Sequence, residues 1–192
     1  HVVASGDRAR ATHLLRDLAD SVRDVHDYVS ADELYSRALE LGVAADELDI
    51  RRSRALMRFR LGRHESSLVD SARARELARA TGARDVEAAL LLDEATTLDW
   101  MGEFVKSASR LDDVRALLGA APSPLLRVRA LVADGRAVWR REGSVPAAAA
   151  RLEQAVEEGE LVGEPVYEDL IAAMVMLVFL LPSLGRLDDA EG

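Results

Sequence analysis

Apolar and small residues recur at helical spacing along most of this 192-residue chain. After Gly62, for example, Ser67, Ser71 and Ala74 follow one another at steps of four and three residues, which places them on one face of an α-helix. The whole pattern predicts ten helices, with boundaries near 7–25, 28–42, 45–61, 64–81, 84–101, 103–119, 124–141, 145–159, 164–181 and 187 onward. We therefore expect an all-α fold.

The pattern also repeats along the chain with a period of about 40 residues. Four glycines, each followed five positions later by a small residue, are separated by 40, 41 and 42 residues: Gly62, Gly102, Gly143 and Gly185. Such a period is typical of stacked helical hairpins. Ala55, Ala95 and Val178 stand seven residues before their glycines, but Arg136 occupies that position in the fourth unit. Either that helix is shifted by one residue or its packing differs.

The stretch from Tyr28 to Leu41, with Ala31, Tyr35 and Ala38 at its centre, resembles the tetratricopeptide repeat (TPR) pattern. The segments 61–65 and 184–190 resemble its turn and the start of its second helix. The units are longer than the usual 34 residues and lack the terminal proline. The resemblance implies a right-handed superhelix of antiparallel helix hairpins, a TPR-like α-solenoid. We expect a single domain over 1–192, with units near 8–42, 45–81, 84–119, 124–160 and 164–192, the last incomplete.

Several local features refine this expectation. Two antiparallel helices approach closely only where side chains are small, and the candidate positions are Ala31, Ala38, Ala74, Ala95, Ala148 and Ala155. Ser144 is a candidate N-cap with Pro146 in the following first turn, and Pro165 is expected in the first turn of another helix. We expect the acidic stretch around Gly159–Gly163 to form a loop.

Long units of this kind resemble the TPR regions of large bacterial multidomain regulators that carry Ser/Thr kinase, ATPase or DNA-binding modules. The resemblance implies a non-catalytic protein–protein interaction or scaffolding module of a bacterial regulatory or signalling protein. An alternative is an intramolecular region that restrains a linked kinase or ATPase domain. The first residue is His1 and the last is Gly192, so we expect a fragment of a longer chain.

The composition argues against several other functions. The chain has 25 basic and 34 acidic residues, and this net charge of −9 disfavours a nucleic-acid ligand. Cysteine is absent, and the chain has no P-loop, GxGxxG or GxSxG motif. The segment 64–68 begins like the zinc motif HExxH but ends in Leu68. We therefore expect no cofactor and no metal.

The apolar run 170–181 is shorter than the roughly 20 residues of a membrane span, so it predicts a buried helix. We therefore expect a cytoplasmic protein that does not bind a membrane. A helical-repeat RNA binder and a small-molecule-binding enzyme are the alternatives of another class.

In the TPR family, the first helix of each unit lines the concave wall. Transferred by position, this implies a partner-binding groove formed by Arg16, Asp20, Arg23, Arg52, Leu56, Phe59, Arg60, Thr96, Asp99, Trp100, Arg140 and Arg141. The same offset also places Leu92, Ala133 and Ala137 on this wall.

The groove hypothesis rests on two basic clusters with tryptophan near them. Six arginines fall within residues 51–63, and three more lie at 136, 140 and 141. Arginine and tryptophan are frequent at interaction hot spots, and arginine binds carboxylates through two parallel hydrogen bonds. The hypothesis is therefore an acidic peptide or protein partner. The alternative interpretation is a solvated face, with these arginines paired to Asp46, Glu47 and Asp49.

The helix expected at 164–181 is apolar on every side, so it needs cover on all faces. In a longer chain we expect downstream sequence to cover it, whereas in this fragment an uncovered face would favour self-association. The candidate residues are Met174, Val175, Val178 and Phe179, and the corresponding assembly is a homodimer formed through the C-terminal apolar helix.

Overall fold

A computed structural model describes residues 2–119, 122–163 and 166–185 of the chain. The described residues divide between Met101 and Gly102 into two compact units, which are treated separately below. The first unit contains α1 (Val2–Asp24), α2 (Tyr28–Glu40), α3 (Glu47–Arg60), α4 (His64–Ala80) and α5 (Arg84–Trp100). The second unit contains α6 (Phe104–Leu118), α7 (Pro124–Glu142), α8 (Val145–Val162) and α9 (Tyr167–Leu180).

The predicted all-α fold of helical hairpins is confirmed. Within each unit every helix packs against the next one along the chain, and no strand occurs among the described residues. Nine of the ten predicted helices are found close to their expected bounds, and the tenth, from 187 onward, lies outside the described residues. The single-domain assignment stays a prediction.

The recurring glycines end helices, as the repeat predicted. At Gly62 the backbone has φ 71°, a conformation that favours glycine because it has no Cβ. The Gly62 amide donates to the Phe59 carbonyl at 3.0 Å, and the next amide, of Arg63, donates to the Arg58 carbonyl at 2.8 Å. These bonds satisfy carbonyls that the end of α3 would otherwise leave without partners.

Small residues form the contacts between helices in both units. All six predicted close-approach alanines are buried, with exposures of 0–1%. In the first unit the apolar core contains Ala19, Ala31, Tyr35, Ala38, Ile50 and Met57, with a further cluster at Ala74, Ala78 and Leu90. In the second unit the core contains Val132, Ala148, Ala149, Leu152, Ala155, Ala173, Leu177 and Leu180.

In the irregular fourth repeat of the sequence, the small residue that packs against the next helix is shifted by one position. Gly135 is buried in α7, whereas Arg136 beside it is partly exposed. A Cβ at position 135 would lie only 2.7 Å from the Leu152 Cγ of α8. Gly135 therefore takes the position that Ala55 and Ala95 hold in earlier repeats.

The predicted loop at Gly159–Gly163 is wrong, because α8 continues to Val162. Gly159 is buried within the helix, and a Cβ there would overlap the Leu170 side chain of the same unit. The acidic residues around it had suggested a loop, but this glycine permits a close contact with Leu170. Only Gly163, with φ 80°, lies beyond the helix end.

The predicted cap at Ser144 has the right position but not the expected bond. Ser144 precedes α8 and Pro146 lies in its first turn, yet the Ser144 side chain makes no capping hydrogen bond. Side-chain caps occur instead at Asp27 before α2 and at Ser123 before α7. Pro165 lies outside the described residues.

Candidate functional site

The arginine run of α3 is divided between the interior and the surface of the first unit. Arg51, Arg54 and Arg58 point toward Asp70 of α4, whose carboxylate is fully buried. Arg54 binds this carboxylate with two N–H groups, at 2.8 and 2.7 Å, and each of the other two arginines donates at 2.9 Å. These arginines therefore compensate a buried charge rather than offering a free cationic surface.

The same network extends to α2 through a second carboxylate, that of Asp32. Arg58 donates its Nε to Asp32 at 3.0 Å, and Arg63 in the turn before α4 donates to the other oxygen at 2.5 Å. Arg54 also donates to the Ser36 hydroxyl of α2 at 3.0 Å. The network thus joins three successive helices of the first unit.

Glu47, at the start of α3, is the acidic group that the sequence did place correctly beside these arginines. Hydrogen bonds from Arg73 and Arg51 lower the pKa of the Glu47 carboxyl. The pairing otherwise differs from the sequence-based alternative, because Asp70 and Asp32 accept most of the bonds and Asp46 instead accepts from Arg16 of α1 at 3.0 Å.

The remaining arginines of the run, Arg52 and Arg60, lie on the exposed side of α3 together with Leu56. Their spacing of four residues places all three on one stripe of the helix. Leu56 is 45% exposed, and Arg52 makes no ion pair with any residue that the structure describes. The stripe is therefore a mixed apolar and basic surface.

Aromatic side chains extend this stripe to α5. The Phe59 ring lies 6.5 Å from the Trp100 ring in a T-shaped arrangement and 5.6 Å from the ring of His64. Trp100 is 72% exposed, although it ends a well-packed helix. Thr96 and Asp99, earlier on α5, are partly exposed, whereas Leu92 is buried at 2% exposure and adds no surface. We call Arg52, Leu56, Phe59, Arg60 and Trp100 the α3–α5 surface.

The predicted groove residues of α1 make contacts within the unit. Asp20 accepts a hydrogen bond from the Tyr35 hydroxyl of α2 at 2.6 Å and another from Arg23 at 2.7 Å. Burial, and then the bond to Asp20, raises the pKa of the Tyr35 phenol to about 12. Asp20 and Arg23, like Arg16, thereby help to hold α1 against the rest of its unit.

The predicted residues of the second unit gather where α6 begins and α7 ends. The Arg140 guanidinium lies 4.8 Å from the centre of the Phe104 ring and 6.0 Å from that of Trp139. Trp139, Phe104 and Arg141 are all exposed. Of the other positions assigned to this wall, Ala133 is buried and Ala137 is partly exposed.

The C-terminal helix α9 has one covered and one uncovered face. Met174, Val175, Val178 and Phe179, the predicted self-association residues, are all exposed, and so are Tyr167 and Ile171, which the sequence analysis missed. Residues 167–184 satisfy a length and composition test for a membrane span, with a mean hydropathy of 1.7 and 28% of the segment buried. A core helix of a soluble protein passes the same test, but such a helix is mostly buried.

No group of three or more potential metal ligands occurs among the described residues. The shifted pKa values of Tyr35 and Glu47 follow from burial, hydrogen bonds and ion pairs that join helices within the first unit. The arrangement of the described residues is suited to molecular recognition through aromatic and arginine side chains.

Comparison with known proteins supports the fold. No protein-family model and no curated protein sequence matches the chain. Among solved structures it is similar to the Rap conjugation gene regulator of plasmid pLS20 in complex with the Phr* peptide, with TM-score 0.81 and 15% identity over 100% of this chain and 53% of that one. It is also similar to a Rap protein complexed with competence and sporulation factor, with TM-score 0.77 and 12% identity over 94% of this chain and 51% of that one.

A third similar structure is that of the TPR-like repeats, nearly identical to one another, of a candidate kinesin light chain from Podosopora anserina. Its TM-score is 0.64, with 15% identity over 93% of this chain and 89% of that one. The chain therefore has a TPR-like helical-repeat fold, as the resemblance implied. It spans about half the length of the two Rap proteins.

Proposed function

We propose that this chain is a non-catalytic protein-interaction module that binds a peptide segment on the α3–α5 surface. The observation that carries the proposal is the exposure of Trp100 beside Phe59 on packed helices. An exposed tryptophan on a rigid element provides a large contact area with little loss of conformational freedom on binding. The complexes of the two Rap proteins support this choice of ligand class.

The charge of the surface selects the chemistry of the peptide. Arg52 and Arg60 flank Leu56 on the exposed stripe of α3. A ligand that places an apolar side chain against Leu56 or Trp100 and a carboxylate toward Arg52 uses both features of this surface. The partner is thus an acidic peptide with at least one large apolar residue, and electrostatic attraction accelerates its association.

The wider setting is also part of this proposal. The module belongs to a regulatory or signalling protein of a bacterial cytoplasm, where its ligand is a segment of another protein or of a linked domain. The TPR-like fold and the acidic, cysteine-free composition support this setting.

A displayed random-peptide library tests the proposal. Selection against the whole chain should yield acidic peptides with an aromatic or large aliphatic residue. Truncation at a hot spot costs about 2 kcal/mol or more, so Trp100→Ala should weaken the selected peptides by about 30-fold or more. Arg52→Ala should weaken them less and should reduce the salt dependence of binding.

Trp139→Ala is the matched control, because it removes an exposed tryptophan from the second unit. It should leave the affinity unchanged. Equal binding of the selected peptides to wild type and Trp100→Ala, with both proteins helical by circular dichroism, would contradict the proposed site.

A further inference from the structure

The apolar character of α9 is divided into two faces with different surroundings. Leu170, Ala173, Leu177 and Leu180 are buried in the second unit. The opposite face exposes 45–72% of each of six large residues: Tyr167, Ile171, Met174, Val175, Val178 and Phe179. Residues 170–180 include no charged side chain. A continuous apolar stripe of this kind indicates an interaction surface.

The spacing of the central residues is the same in both directions along the helix. From Ile171 the steps to Met174, Val175 and Val178 are three, one and three residues. If a second α9 is placed antiparallel, Ile171 of each copy meets Val178 of the other, and Met174 meets Val175. The stripe is therefore self-complementary under a two-fold rotation, as an isologous dimer interface requires.

We infer that α9 pairs antiparallel with α9 of a second copy of this chain, with the two-fold axis between Met174 and Val175. The exposed parts of six side chains amount to roughly 600 Å² per copy, so the pair would bury about 1,200 Å², near the lower end for a stable protein interface. The helix α9 belongs to the second unit, whereas the α3–α5 surface belongs to the first.

The charges around the stripe favour a second copy over a lipid surface. A helix that lies on a membrane generally carries Lys or Arg on its polar face, but α9 has none, and its charged residues are Glu168 and Asp169 in the first turn. A transmembrane position would require Leu170, Ala173 and Leu177 to leave the core of the second unit. A second α9 covers the exposed face without disturbing the buried one.

Cysteine cross-linking tests the predicted register, because the chain has no cysteine of its own. In Met174→Cys the two introduced thiols lie beside the axis, so mild oxidation should produce a covalent dimer. In Ile171→Cys the thiols of the two copies are about 10 Å apart along the helices, beyond the reach of a disulfide. A mixture of Ile171→Cys and Val178→Cys chains should cross-link again.

Leu161→Cys controls for random collision, since Leu161 is 90% exposed on α8 and lies outside the stripe. Equal cross-linking of Met174→Cys, Ile171→Cys and Leu161→Cys would overturn the proposed pairing in favour of non-specific contact.

Light scattering coupled to size exclusion tests the assembly without a cross-link. At about 100 µM chain, a concentration that populates even a weak complex, wild type should have twice the chain mass of 20.9 kDa. Val175→Glu places one carboxylate on each side of the axis, inside the apolar contact, and should yield a helical monomer. Leu161→Glu changes the charge equally outside the stripe and should remain dimeric.

A monomeric wild type, or dimers in both glutamate variants, would overturn the proposal. Co-sedimentation of a monomeric wild type with vesicles of phosphatidylcholine and phosphatidylglycerol would also overturn it and would assign the stripe to lipid.

Discussion

The hairpin α3–α4 of the first unit and the hairpin α7–α8 of the second each turn at a glycine with positive φ, but they have different interiors. Between α3 and α4, three arginines surround the buried Asp70. Between α7 and α8, Leu152 fits against Gly135, among alanine and valine side chains. The same repeat is thus stabilised by charge pairing in one place and by close apolar packing in the other.

This difference shows what the repeat requires of its sequence. The helices need small residues at the positions of closest approach, and both hairpins provide them in Ala74 and Ala148. Beside those positions, either paired charges or complementary side-chain shapes can hold the two helices together. Paired charges select particular partners, because a carboxylate buried without its guanidinium groups is strongly unfavourable. The apolar hairpin depends instead on matched volume.

The largest expected effect comes from removing the buried charge of the first unit. Asp70→Ala leaves three guanidinium groups without their common partner, which should cost about 3–5 kcal/mol of unfolding free energy. Urea unfolding measures this cost, with Trp100 fluorescence in a Trp139→Phe background reporting on the first unit. Asp49→Ala, at an exposed site on α3, is the control and should change the midpoint little. A small effect of Asp70→Ala would show that the network does not stabilise the hairpin.

A loss of apolar volume should destabilise the second unit by a slightly smaller amount. Leu152→Ala empties the space beside Gly135 and should cost about 3 kcal/mol through lost burial and the resulting cavity. Trp139 fluorescence in a Trp100→Phe background follows this unit. Leu161→Ala, at an exposed site on α8, should be nearly neutral. If Leu152→Ala is equally neutral, the close packing of this hairpin is not what stabilises it.

High pH should weaken the first unit selectively through Tyr35. The phenol ionises near pH 10 in an unfolded chain, whereas burial and then the Asp20 hydrogen bond raise its folded pKa to about 12. Its contribution is complete below pH ~10 and is lost as the pH rises toward ~12, a change of about 2 kcal/mol. Urea midpoints between pH ~8 and ~11.5 measure it, and Tyr35→Phe should flatten the dependence. An unchanged slope in Tyr35→Phe would refute this assignment.

The smallest expected effect concerns the close contact at Gly135. Alanine usually stabilises a helix relative to glycine by about 0.5–1 kcal/mol. In Gly135→Ala the new Cβ overlaps the Leu152 side chain, so a net loss of about 1 kcal/mol is expected. Gly6→Ala, in α1 with nothing within 4 Å of its Cβ, should be slightly stabilising. Thermal unfolding measures the change in stability of each variant relative to wild type. Stabilisation by Gly135→Ala would contradict the overlap.

Much of the fold could be predicted from local pattern, because small residues at helical spacing and glycines at turns act through nearby neighbours. Ala31 and Ala148 are buried as expected, and Gly62 has the positive φ of a turn. The candidate surface was predicted less well. The spacing of Arg51, Arg54 and Arg58 does mark one face of α3, but Asp70 lies 12–19 residues away, so sequence alone could not show that this face is internal.

The sequence by itself therefore determined the helices, their period and the positions where they approach each other, since these depend on backbone preference and on side-chain size. The tertiary structure decided which arginines of α3 are buried, why Gly159 lies inside a helix, and which face of α9 is uncovered. These outcomes depend on contacts between residues distant in sequence. A residue's own helix specifies its face, but only the neighbouring helix decides whether that face meets protein or solvent.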